Sequence, residues 1–110
     1  MALSASHDYA ALARVPAVRL GREAAEALAK TLRAVADPTR LQLLSMIMGS
    51  PSGEASVGDL AAEMQLTQPT VSHHLRIMVE GGLLEREQRG RHVWHSIAAD
   101  RKSAVTDLLR

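Results

Sequence analysis

Two apolar stripes with helical spacing lie between Leu60 and Val79, and only Gln65, Leu66 and Thr67 separate them. Leu60, Ala61 and Met64 form the first stripe, and Val71, Leu75, Met78 and Val79 form the second, each spaced as one face of an α-helix is. A connector this short holds two helices against one core and leaves little choice of angle between them. Thr67 supplies the hydroxyl of an N-cap, and Pro69 falls in the first turn, where its missing N–H costs nothing. Gly81 and Gly82 end the run. The far side of the second helix carries Gln68, Thr70, Ser72, His73 and Arg76, where a merely solvated face would carry Glu and Lys.

The rest of the chain organises around this pair. Residues 1–18 are irregular, contain Pro16 and read as an N-terminal arm, with a single domain over 19–110. From Arg22 to Ala36 the pattern is helical: Ala24, Leu28, Leu32 and Val35 recur on one side, with Glu23, Glu26, Lys30 and Arg33 on the other. Asp37 and Pro38 then break and restart the helix as cap and first residue. Leu41, Leu44, Ile47 and Met48 give the second helix its apolar face, and Gly49 to Gly53 is a loop by composition. Ser56 caps a third helix through the N–H of Asp59. After the fourth helix, Leu83 to Gln88 and His92 to Ile97 flank Arg89-Gly90-Arg91, which predicts a β-hairpin with two arginines at its tip. A last helix is expected from about Asp100, with Ala104, Val105, Leu108 and Leu109 on one side.

Composition narrows what such a chain can do. At 110 residues it supports one core and no separate catalytic domain. With 46% hydrophobic and 23% charged residues it is neither disordered nor a membrane protein by composition. No targeting segment or membrane span is apparent, so the expected location is cytoplasmic. The net charge is only +1, so affinity for nucleic acid must come from local placement of charge. Phe is absent, and Tyr9 and Trp94 are single, so the stacking row of a single-strand binder cannot be built. There is no cysteine, hence no thiolate metal site, and no Gly-x-Ser-x-Gly, His-Glu-x-x-His or phosphate-cradling glycine loop that would indicate an enzyme.

A short helix, a tight turn and a second helix with a polar outer face make a helix-turn-helix, whose second helix enters the major groove of double-stranded DNA. The residue types suit that role. Gln68 can pair with adenine, Arg76 with guanine, and Thr70 and Ser72 with base edges or phosphates. His73 shares their face, and the free N–H groups at the helix start suit a phosphate oxygen. The hairpin would lie beside the duplex as a wing, with Arg89 and Arg91 reaching the backbone or a narrow minor groove. The expected fold is mainly α with a small β-hairpin: a winged helix-turn-helix of about five helices and a two-stranded wing.

In Val35-Ala36-Asp37-Pro38-Thr39-Arg40-Leu41-Gln42-Leu43-Leu44, in Gln68-Pro69-Thr70-Val71-Ser72-His73-His74-Leu75, and in Gly82-Leu83-Leu84 followed by Arg89-Gly90-Arg91, the chain resembles the ArsR/SmtB family of bacterial winged-helix repressors, from about Glu23 to Leu109. The resemblance implies a homodimer built from the first and last helices. Each subunit would present one recognition helix to a half-site of a palindromic operator, and a bound ligand would relieve repression. Half-sites about 34 to 36 Å apart suit such a two-fold dimer.

The sensing half of the pattern is altered. Metal-sensing members often carry Glu-x-Cys-x-Cys-Asp-Leu, and here Glu54-Ala55-Ser56-Val57-Gly58-Asp59-Leu60 puts Ser56 and Gly58 at the cysteine positions. A hydroxyl does not replace a thiolate for soft ions. A second family site needs Asp-x-His, but Asp100-Arg101-Lys102 ends in a cation. Of the five histidines, His73 and His74 diverge by about 100° on one helix, and His92 and His95 fall on opposite faces of a strand. His7, beside Asp8, lies in the arm. No metal ligand set or cofactor is therefore assigned. Two alternatives to a metal-independent repressor stand: a nickel- or zinc-responsive regulator with a non-standard histidine and carboxylate site, and an interaction module whose winged helix answers to a protein co-regulator.

Overall fold

The computed structural model describes residues 19–102 and 105–106. The arm at 1–18, including His7, and the last-helix positions Ala104, Leu108 and Leu109 lie outside the described residues. The first helix, α1, spans Arg22–Val35. It gives way at once to α2, Pro38–Gly49, because Asp37 caps α2 with its carboxylate, which accepts the Arg40 N–H at 3.1 Å. That bond holds the Asp37 carboxyl below the usual carboxylate range. Helix α3, Val57–Met64, starts on Ser56, whose hydroxyl accepts the Asp59 N–H as the sequence predicts.

The turn into α4, Gln68–Glu80, closes tightly because Gln65 adopts a left-handed conformation (φ 57°). Leu66 N–H then bonds back to Ala61 O at 3.0 Å, satisfying carbonyls at the end of α3. Thr67 caps α4 by accepting the Thr70 N–H, and its own hydroxyl donates to Thr70 Oγ1 at 2.9 Å.

Helices α2, α3 and α4 supply most of the core. Leu43, Leu44 and Ile47, then Leu60 and Ala61, then Val71, Leu75 and Met78 pack with Leu83, Leu84 and Ile97 below them. In α2 it is Leu43, not Leu41, that is buried, and Leu41 stays partly open to solvent. Helix α1 crosses α4 very closely. A Cβ on Gly81 would sit 2.7 Å from Ala34 Cβ, and Thr31 Oγ1 donates to Gly81 O at 2.7 Å. Only a glycine fits there without a shift.

The two-stranded wing forms as expected, and a third strand that the sequence did not announce completes a three-stranded sheet. Strands β2, Leu84–Arg89, and β3, His92–Ile97, form the predicted hairpin. Its two-residue turn begins at Gly90 with φ +59°, a value that favours glycine. Strand β1, Glu54–Ser56, adds to the other edge of β3 in the order β1-β3-β2, with Glu54 opposite Ser96 and Ser56 opposite Trp94. Three residues leading into a capped helix carry too little alternation to announce a strand, and the unpaired edge of β3 supplies the reason one forms. The chain then makes a short turn of 3-10 helix at Ala99–Arg101 and is helical at Lys102, Val105 and Thr106. Four helices and the start of a further one are thus described, with Val105 buried in the core.

Candidate nucleic-acid interface

Helix α4 is held by its Val71, Leu75 and Met78 face and turns Pro69, His73, Arg76 and Glu80 outward. Gln68 and Thr70 are exposed at its start, Ser72 is half-buried, and His73 and Arg76 are exposed. All five predicted helix positions therefore reach the surface, but not equivalently. Ser72 and Arg76, one turn apart, lie on the flank that faces the wing, where they share a groove with Arg86 and His95. Thr70 lies towards the opposite flank, and its hydroxyl is engaged by Thr67.

His74 points away from this face. Its Nδ1 lies 3.3 Å from Arg40 Nη1, while Arg40 Nε donates to Ala34 O at 2.6 Å. Arg40 thus ties the last carbonyls of α1 to the middle of α4, and fixes the angle at which the outward face is presented. Sequence reasoning placed Arg40 in a motif but gave it no partner, because its contacts are to the α1 backbone and to His74 of α4, which only packing brings near.

The two wing arginines part company. Arg89 makes a fork on Glu54, Nη1 to Oε1 at 2.6 Å and Nη2 to Oε2 at 2.8 Å, and its Nε also donates to Glu87. Its guanidinium lies 5.4 Å from the Trp94 ring centre, within cation–π range. The Arg89 fork holds the Glu54 carboxyl below its ordinary range, and the two carboxylates push the Arg89 guanidinium pKa up. Arg91, at the turn itself, is exposed and has no ion pair among the described residues.

Strand alternation explains the split. Glu85, Glu87 and Arg89 share one face of β2, while Arg86 and Gln88 share the face of buried Leu84. Arg86 faces α4, and the sequence reading missed it. The signal was present, since Arg86 is two residues from Leu84, and period-2 alternation puts the two on one side. Opposite Arg86 on β3 is His95, which is 4% exposed. Burial, reinforced by the Arg86 charge, pushes the His95 pKa down to about 4, so the ring is neutral near pH 7. His92, on the other face as expected, is exposed. Among the described residues no three His, Cys, Asp or Glu side chains gather closely enough to hold a metal ion, and no helix is long and apolar enough to cross a membrane.

A capped helix with a polar outer face, joined by a tight turn to a shorter helix and flanked by an antiparallel wing, defines a winged helix-turn-helix DNA-binding protein. The chain belongs to the arsR family of bacterial regulatory proteins, whose family model matches residues 37–86. It is 31% identical over 84 residues to an uncharacterized HTH-type transcriptional regulator of Methanocaldococcus jannaschii, spanning 76% of this chain and 92% of that one. It is 29% identical over 65 residues to the transcriptional repressor SdpR of Bacillus subtilis, spanning 59% of this chain and 69% of the relative. Among solved structures it superposes with a TM-score of 0.69 on a homodimeric winged helix-turn-helix DNA-binding domain from Mycobacterium bovis. That protein is 27% identical, with 84% of this chain and 85% of that one covered. The family is one of transcriptional regulators and not of enzymes.

Proposed function

We propose that the chain is a cytoplasmic transcriptional repressor that binds a palindromic operator as a homodimer, without a thiolate metal site. The observation that carries this reading is the outward face of α4, where Gln68, His73 and Arg76 are exposed beside half-buried Ser72 on a helix fixed at both ends. In the major groove, Arg76 would pair with guanine and Gln68 with adenine, while Thr70 and Ser72 would serve base edges or phosphates. Arg91 would meet the backbone from the wing. Arg89 would serve as a second wing contact if a phosphate displaces it from Glu54 and Glu87.

Dimerisation is supported from a separate direction. Leu28 and Leu32 of α1 are 42% and 52% exposed and lie one turn apart, with Leu20 open just ahead of the helix. An apolar stripe of this kind is what one subunit offers another across a two-fold axis. The repressor name of the Bacillus subtilis relative and the homodimeric Mycobacterium bovis domain support the same assignment.

The test is fluorescence anisotropy with labelled DNA from upstream of the chain's own coding sequence. Binding to a palindrome at a ratio of two chains per site, weakening steeply with salt, is the expected result. Absence of binding at low salt would overturn the reading.

A further inference from the structure

The groove between α4 and the wing has a volume of about 240 Å³, space for roughly eight water molecules at liquid density. Its walls are apolar where Val57, Val79 and Val93 meet, and two guanidinium groups line it, Arg76 from α4 and Arg86 from β2. Ser72 adds a hydroxyl next to Arg76, and among the described residues no carboxylate lines it. The alternation of β2 sends Glu85 and Glu87 to the opposite face, so the excess of positive charge is local to this side. At the β3 wall stands His95, almost fully buried, whose Nδ1 has no hydrogen-bond partner among the described residues.

We propose that this groove is an effector site for a small organic carboxylate with a compact apolar body, whose anionic end pairs with Arg76 and Arg86. A guanidinium matches a carboxylate with two parallel hydrogen bonds, and the valines accept an aromatic ring or a short branched chain. A bare phosphate would satisfy the arginines and leave the valine walls in contact with water. Because Arg76 is on the face assigned to base contact, an occupant takes its charge away from DNA and weakens operator binding. In a chain with no cysteine, this offers a route for a signal to reach the recognition helix directly. The regulatory consequence rests on the proposed DNA-binding function; the binding site itself does not.

Two measurements separate the two. In the first, the His95 ring resonances of the full chain are followed by NMR as benzoate, hexanoate or inorganic phosphate is added. Saturable shifts with benzoate at millimolar concentration, absent or much weaker with phosphate, are expected. Arg86→Gln, at an exposed strand position, should keep the amide spectrum and weaken benzoate binding about tenfold, as loss of one charged hydrogen-bond partner does. No saturable shift with either carboxylate, or phosphate binding as tightly as benzoate, would overturn the site. In the second, benzoate at saturation should lower the affinity of the wild-type chain for its operator at constant ionic strength. Unchanged affinity with the groove occupied would overturn the effector role. If no DNA binds at all, the NMR titration alone decides the site.

Discussion

At the scale of single residues, three arginines at the proposed DNA-facing surface have different surroundings and should behave differently. Arg76→Ala is expected to cost about 1–3 kcal/mol on the operator and almost nothing on scrambled DNA, so sequence preference falls. Arg91→Ala should weaken both DNAs alike and lower the slope of log affinity against log salt by about one. Arg89→Ala removes a guanidinium already balanced by Glu54 and Glu87, so it should change that slope less than Arg91→Ala does. Anisotropy titrations at several salt concentrations read all three. His95 gives a pH signature. Its folded pKa of about 4 lies below the 6.5 of the free side chain, so the unfolded chain takes the proton first as pH falls. The native state therefore holds its full advantage above about pH 6.5 and loses it down to about pH 4. Urea midpoints should fall more steeply over that window for the wild type than for His95→Gln; parallel curves would show that His95 titrates as an exposed histidine.

At the scale of elements, the boundaries were legible wherever a side chain announces them locally. Asp37, Ser56 and Thr67 each accept the N–H three residues on, and a short polar residue before an apolar periodic run is sufficient to predict that. What stayed hidden depends on partners distant in sequence. Strand β1 exists because β3 has a free edge, Arg40 is held because His74 of α4 comes beside it, and Gly81 is required because Ala34 crosses α4 there. The Leu28 and Leu32 stripe was legible as apolar, and both residues are largely exposed on the single chain. Gly81→Ala tests the crossing. The added methyl overlaps Ala34 at a distance no packed pair of carbons tolerates, so a loss of about 1–3 kcal/mol is expected in chemical denaturation. Asp37→Ala should cost about 1 kcal/mol by removing the α2 cap.

At the scale of the whole molecule, the described chain buries the faces of α2, α3 and α4 and leaves one side of α1 open, which is where the proposed dimer contact is to be tested. Leu28→Glu with Leu32→Glu would place carboxylates on both sides of a two-fold contact. Analytical ultracentrifugation should show a monomer with unchanged helical content, and operator affinity should drop with it; a dimer that survives both changes would assign the interface elsewhere. The wing has a further property at this scale. Trp94 is the chain's sole tryptophan, and it lies under the guanidinium that links β2 to β1 across β3. Its emission therefore carries the local field of that one cation. Any event that lifts Arg89 off Glu54, whether a phosphate at the wing or a change in β1, will move the emission wavelength, so the unlabelled protein has a built-in optical reporter of what its wing is doing.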